Sequence, residues 1–320
     1  MKQLKKAVFR MVGIAAAMLL AVALASCGGS PEGPDGDGAE FTDALGRTVR
    51  VDKGIGRVAA LLGSFADVWQ LAGGDLCAAA EDAWEDFGLE MGDAVNLGGA
   101  HSPSLERLLA SDPDFVIASA STAGHLEMRA TLEAAGIPVA YFDVDGFDDY
   151  LNMLDICTDI TGRKDLYEQN GRALADRIDA IKIQYAGQNL PDRMRTVLLL
   201  RVSSSTVRAK GSEGTILGEM LRDMGCINIA DSDRNLLETL SVESVIAQQP
   251  YHIFVVTMGS NTEAAEKLLG HMMVENPAWG GLEAVRAGRL HRMDKALFNL
   301  KPNARWAEAY EKLYETLSGK

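Results

Sequence analysis

One pattern constrains this chain more than any other: from Phe41 onwards a short apolar run, a turn and an amphipathic helix follow one another, and the series occurs twice. In the first series the runs are 58–62, 77–80, 115–118 and 139–142, with helical stretches at 64–72, 104–110 and 126–135, the last closed by Gly136-Ile137-Pro138. The second opens with Thr196-Val197-Leu198-Leu199-Leu200 and continues through a helix at 215–224, a run at 227–230, a helix at 241–247 and a run at 252–257. A helix at 262–273, a run at 290–293 and a closing helix at 304–317 complete it. Runs of four or five apolar residues bounded by turn signals suit strands covered on both faces, and strands alternating with helices build a mainly parallel sheet. Between the series, 147–187 reads as helical with a break near Gly162. Tyr150, Leu151 and Leu154 begin an apolar stripe that Leu166, Leu174, Ile178, Ile181 and Tyr185 continue. The fold class is therefore α/β, with two lobes, each a mainly parallel sheet flanked by helices, joined by one long helix. The expected boundaries are 1–26 for a signal peptide, 27–40 for a tether, 41–146 for the N-terminal lobe, 147–187 for the helical linker and 188–320 for the C-terminal lobe.

The N-terminus fixes the compartment. Lys2, Lys5, Lys6 and Arg10 precede an apolar run from Val12 to Ala25 that holds no acidic residue, which is the pattern of an export signal. Spanning a bilayer takes ~20 apolar residues, more than this run supplies. It ends in Leu24-Ala25-Ser26-Cys27, which resembles the bacterial lipobox; the resemblance implies cleavage before Cys27, acylation of its sulfur and anchoring at the outer face of the cytoplasmic membrane. Residues 28–40 carry no large apolar side chain, so they are expected to form a flexible tether.

The formal charge of the whole chain is −14, and loss of the leader's four bases takes the exported chain to −18. Nucleic acid is thereby excluded as an expected partner, because a net-acidic surface lacks the phosphate attraction that supplies most such affinity. Cys77, Cys157 and Cys226 show no Cys-x-x-Cys spacing, so neither a zinc knuckle nor a redox pair is expected.

Several segments resemble the substrate-binding proteins of class III ATP-binding-cassette importers, the iron-siderophore, haem and cobalamin type. They are Phe41-Thr42-Asp43-Ala44-Leu45-Gly46-Arg47, then Ser104-Leu105-Glu106-Arg107-Leu108-Leu109 ahead of Asp112-Pro113-Asp114-Phe115. In the second half follow Leu240-Ser241-Val242-Glu243-Ser244-Val245-Ile246 ahead of Gln249-Pro250, then Asn276-Pro277-Ala278-Trp279 and Val285-Arg286-Ala287-Gly288-Arg289-Leu290. The resemblance implies a ligand cleft between lobes, a permease as partner, and one exposed glutamate per lobe, Glu106 and Glu243, docking onto permease arginines. The plainer alternative is that each carboxylate only favours the positive end of its helix.

In parallel α/β sheets the crevice forms at the carboxyl ends of strands. There the second lobe offers Arg201 with Ser203, Ser204 and Ser205, a guanidinium fork beside hydroxyl donors that suits an oxyanion; a polar β-hairpin is the alternative. Family members place the loop after the last strand at the cleft, which here implies Phe298, Lys301 and Arg305. Trp279 and Trp306 are expected in the core. The first lobe offers Ser64 and Phe65, Trp84 and Phe87, and His125, with Met128 three residues on. The acidic run 81–86 is either solvated or faces a cation. The expected ligand is a small-molecule metal chelate, an iron-siderophore first and haem or a corrinoid as alternatives, and the expected state is a monomer without resident cofactor or bound metal. An extracytoplasmic α/β enzyme or a surface-interaction protein is the competing reading. No Gly-x-Ser-x-Gly, Ser-x-x-Lys, His-Glu-x-x-His or phosphate-loop pattern supports catalysis.

Overall fold

The computed structural model describes residues 38–259 and 261–319. The signal segment, Cys27 and the tether up to residue 37 lie outside the described residues. Strand β1, Gly38–Thr42, pairs antiparallel with β2, Thr48–Asp52, so residues 38–40 of the expected tether belong to a strand. Ladder hydrogen bonds come from the backbone and do not need large side chains, and Phe41 supplies the apolar contact by stacking on Phe142 at 6.2 Å. The turn between these strands explains the Asp43-to-Arg47 signature. Asp43, 5% exposed, accepts the N–H groups of Leu45 and Arg47 at 3.0 Å each and the Arg47 guanidinium at 2.5 Å, while Gly46 takes φ +74°, the left-handed conformation glycine tolerates. Burial pushes the Asp43 carboxyl up, but the bonds from Arg47 and the Tyr141 N–H outweigh it and hold it below its usual value.

Five parallel strands form the first sheet: β3 (Val58–Ala60), β4 (Leu76–Ala79), β5 (Val95–Asn96), β6 (Phe115–Ser119) and β7 (Val139–Phe142), in the order β5-β4-β3-β6-β7. The second sheet comprises β8 (Thr196–Val202), β9 (Val207–Lys210), β10 (Ile227–Asn228), β11 (His252–Thr257) and β12 (Leu290–Met293). Its parallel order is β10-β8-β11-β12, with β9 antiparallel on β8. The order β4-β3-β6-β7 in one sheet thus matches β10-β8-β11-β12 in the other. The expected run 227–230 stops short as a strand, because the Asn228 side chain accepts the Ala230 N–H at 3.1 Å and turns the chain into a 3₁₀ segment, Ile229–Ser232.

Side chains alternate across each sheet. Ala59, Val116 and Ala118 pack on one face of the first sheet, and Leu198, Leu200, Ile253 and Val255 on one face of the second. On the remaining faces Val58, Ala60, Phe115 and Ile117 join the same apolar cluster as Val197, Leu199, Phe254 and Val256. What unites them is helical: Tyr150 and Leu154 from the helix Phe147–Thr161, Ile178 from Ala173–Ala186, and Trp306, Tyr310 and Leu313 from Trp306–Ser318. Gly162, at φ +71°, ends the first of these helices. The chain from β7 to β8 then runs through Lys164–Tyr167, a π-helical turn at Glu168–Arg172 and Ala173–Ala186. Its buried positions Leu174, Ile178, Ile181 and Tyr185 are the expected stripe. No helix of the described residues is long and apolar enough to cross a membrane.

Candidate functional site

The carboxyl ends of β3, β7 and β8 and the segment after β12 converge on one group of charges. After β3 the helix Gly63–Leu71 begins, and a Cβ on Gly63 would lie 2.5 Å from the Ala83 nitrogen, so glycine is what lets the 82–83 backbone approach. Asn303 Nδ2 donates to the Ser64 carbonyl at 2.9 Å and to Asp67 Oδ2 at 2.8 Å, tying the closing segment to this helix. Lys301 Nζ stands 5.8 Å from the Phe65 ring centroid. Phe65 itself is 1% exposed, edge-on to Phe142 at 6.3 Å, and so supports the site from below.

After β7 come Asp143, Val144 and Asp145. Asp149 Oδ2 accepts the N–H groups of Asp145 and Gly146 at 3.1 and 3.0 Å, which caps the following helix and fixes the loop. Burial drives the Asp145 carboxyl up, as does the charge of Asp143, while Lys301 and Arg201 oppose the rise. Arg201 and Lys301 are each pulled down by burial, with Asp145 the leading opposing charge for both. The Asp143, Asp149 and Asp82 charges also act on Lys301. Asp67 and Asp82 are raised by burial, against hydrogen bonds from Asn303 and the Gly63 N–H respectively. Among the described residues, Arg201 Nε, Asp82 Oδ1 and Asn303 Oδ1 are buried without a hydrogen-bond partner, each at a cost in desolvation.

Ser64, Phe65, Arg201 and Lys301 are thus brought together, and Asp67, Asp143, Asp145, Asp149 and Asn303 join them unforeseen. Their signal was present, since Asp143 and Asp145 directly follow a strand's carboxyl end. Trp84 and Phe87 are half-buried on and just after the short helix Asp82–Glu85; the adjoining Asp86 pairs with Lys295 across the two halves at 2.9 Å.

Other expected site residues are engaged elsewhere. His125 is wholly buried; its Nδ1 accepts the Ser119 N–H at 3.0 Å and its Nε2 lies 2.7 Å from the Ala100 carbonyl. The ring is therefore neutral with its proton on Nε2, burial holds its pKa down, and neither nitrogen is free for an iron. Ser203, Ser204 and Ser205 form the β8–β9 hairpin turn, where Ser203 Oγ accepts the N–H groups of Ser205 and Thr206 at 3.3 and 3.0 Å. Phe298 is 3% exposed in the shared core. Arg305 is exposed and forked onto Glu308 at 2.7 and 3.0 Å. Trp279 and Trp306 are fully buried. Among the described residues no group of three or more His, Cys, Asp or Glu side chains is placed to hold a metal ion.

Glu106 and Glu243 are both exposed, each the second residue of its helix, Leu105–Ala110 and Val242–Gln248. The caps agree as well: Ser104 Oγ accepts the Arg107 N–H at 3.3 Å and Ser241 Oγ the Ser244 N–H at 3.2 Å.

A family model described as periplasmic binding protein matches residues 58–297. No curated protein sequence matches the chain. Among solved structures, SirA of Staphylococcus aureus complexed with staphyloferrin B superimposes with a TM-score of 0.69 at 20% identity, covering 88% of this chain and 98% of that one. IsdE of S. aureus complexed with heme gives 0.67 at 15% identity, covering 82% and 99%. The vitamin B12 binding protein BtuF of Vibrio cholerae gives 0.65 at 20%, covering 82% and 97%. At such identities the likeness speaks to the fold.

Proposed function

The chain belongs to the periplasmic binding protein family, a family of binding proteins and not of enzymes, and from that premise we propose that it captures a metal chelate between its two halves and delivers it to an importer permease. The observation that carries this reading is the pair of half-buried cations, Arg201 and Lys301, facing Asp145 where strand ends of both sheets converge. A chelate bearing carboxylate or catecholate oxygens would take over the role of Asp145 towards both cations, and a charge-assisted contact of this kind contributes about 1.5–3 kcal/mol. An iron-siderophore suits the site best. Haem stands second, since His125 offers no free nitrogen to its iron, and a corrinoid is the remaining alternative.

In this reading Cys27 carries the lipid, residues 28–37 serve as tether, and Glu106 and Glu243 meet the permease. Fatty-acid labelling of the whole chain should be lost in Cys27→Ser. The test of the ligand class is titration of the mature chain with ferric siderophores, haem and cobalamin, followed by quenching of the half-buried Trp84. Saturable quenching by a ferric siderophore supports the reading; binding of none of the three classes would sink it.

A further inference from the structure

Asn303 is held at a cost. Its side chain is fully buried, its backbone takes φ +49°, and its Oδ1 has no hydrogen-bond partner among the described residues. Asparagine bears the left-handed conformation better than most side chains, yet not without strain. Against this stand two bonds from Nδ2, to the Ser64 carbonyl at 2.9 Å and to Asp67 Oδ2 at 2.8 Å. These are ordinary bonds, and the orphaned oxygen and the backbone offset much of what they contribute to stability. Their direction is what distinguishes them. Both acceptors lie on the helix Gly63–Leu71 of the first half, whereas the chain reaches Asn303 from β12 in the second sheet. The rest of this segment is fastened the same way. Lys295 pairs with Asp86 at 2.9 Å, and Lys301 Nζ stands 5.8 Å from the Phe65 ring centroid. The charges that act on Lys301, those of Asp145, Asp143, Asp149 and Asp82, also all come from before β8. Arg201, by contrast, is part of β8 itself.

Resting on the capture role proposed above, we infer that Asn303 is a positioning residue for Lys301: it pins this lysine to the first half, so that an anionic chelate is gripped by one cation from each half, Lys301 from the first and Arg201 from the second. By sequence Lys301 belongs to the C-terminal lobe, but its supports are N-terminal. The link between the two residues is short and stiff, because Pro302, buried between them, fixes its own φ. Where Asn303 sits therefore decides where the Lys301 backbone sits. A lysine side chain has a flexible four-carbon stem and loses much freedom when it must meet a ligand unaided; a pinned backbone lowers that loss. Without the Nδ2 bonds the ammonium would swing out and recover its hydration, and the cleft would keep only Arg201.

The test uses the mature chain with ferric citrate as a polycarboxylate probe. It reads affinity, melting temperature and the titration of Lys301, followed by NMR of 13C-labelled lysine with the signal assigned by its loss in Lys301→Met. Asn303→Gly keeps the left-handed backbone, removes both bonds and adds no charge. In this variant the Lys301 titration, held down by burial in the native chain, should move up towards the ordinary lysine value, and affinity should fall about tenfold, the loss of one charge-assisted contact. The same substitution made in Lys301→Met should weaken binding no further, because the contact it disturbs is already gone. Should the glycine variant fail to fold, Asn303→Asp, which keeps the size and loses the donor, is read by the affinity cycle alone. An unchanged Lys301 titration in folded Asn303→Gly would overturn the assignment. So would an affinity loss that is equal with and without Lys301, which would make Asn303 a residue of the fold. A wild-type chain that binds neither ferric citrate nor the other chelates would sink the capture reading instead, while the Lys301 titration would still decide whether Asn303 holds that side chain.

Discussion

Arg201 is a cation that is costly to bury: its Nε has no hydrogen-bond partner among the described residues, and the charge of Asp145 is what offsets its desolvation. Arg201→Ala should weaken chelate binding tenfold to a hundredfold, on the scale of one desolvated charge-assisted bond of about 1.5–3 kcal/mol. The melting temperature should move little, because Asp145 keeps Lys301 as a counter-charge; equal loss of affinity and stability would make Arg201 a residue of the fold. His252 gives a second residue-scale prediction. Its Nδ1 lies 2.9 Å from His291 Nε2, and burial first, then the charges of His291 and Arg289, push its pKa down to about 4. An unfolded histidine titrates near ~6.5, so between the two values the unfolded chain binds the proton and the native one does not. Stability from this residue is complete above ~6.5 and lost as pH falls towards 4, at most ~3 kcal/mol. Denaturant titrations of wild type and His252→Gln should converge on acidification, and parallel curves would contradict the assignment. The rule that crevices form at strand ends singled out Arg201, whereas Lys301 came only from the family resemblance. Asp145 obeys the same rule, but a loop carboxylate reads as solvated until the cations of a remote segment are brought against it. The pairing of Arg305 with Glu308, three residues on, was visible in the spacing itself.

At the scale of elements, the two glutamate-bearing helices with their serine caps make a prediction that their sequences alone only suggest. Reversing charge at both sites, Glu106→Lys with Glu243→Lys, should abolish uptake of the bound chelate into cells while leaving its affinity in solution unchanged. Persisting uptake would reduce the glutamates to helix-end residues, each contributing about 0.3–1 kcal/mol to its helix. The helices were legible because a cap, an apolar period and a turn residue recur together. The hairpin strand β9 was legible only as the alternative of a polar hairpin after β8, since Val207–Lys210 alternates too briefly to decide it, and the two-residue β5 was not, since Val95–Asn96 is exposed; each is a strand only through its neighbour's backbone. The same holds for Gly38–Thr42, whose first residues match a tether in composition and become ordered by pairing with Thr48–Asp52.

Across the whole molecule the sequence repeats a two-lobe plan, but the packing makes the lobes share one core. The long-range contacts responsible leave no mark in local periodicity: Trp306 meets Phe147 at 5.8 Å and Tyr150 at 6.4 Å, and Tyr310 donates to Asp223 at 2.8 Å. Arg177 pairs with Glu311 at 2.7 Å, and Lys295 reaches Asp86 at 2.9 Å. Opening one half would expose apolar faces of the helices that cover the other, so unfolding of 38–319 is expected as one transition, with calorimetric and van't Hoff enthalpies equal. Leu154, fully buried within the shared cluster, provides the sharper test. Leu154→Ala removes buried methyl groups from the apolar cluster to which both sheets contribute and should cost about 2–5 kcal/mol. The loss should lower a single melting transition as a whole, with fluorescence of the tryptophans and far-ultraviolet dichroism moving together. Two resolved transitions, only one of them shifted by Leu154→Ala, would mean that the halves fold as separate domains and that the shared cluster is too weak to couple them.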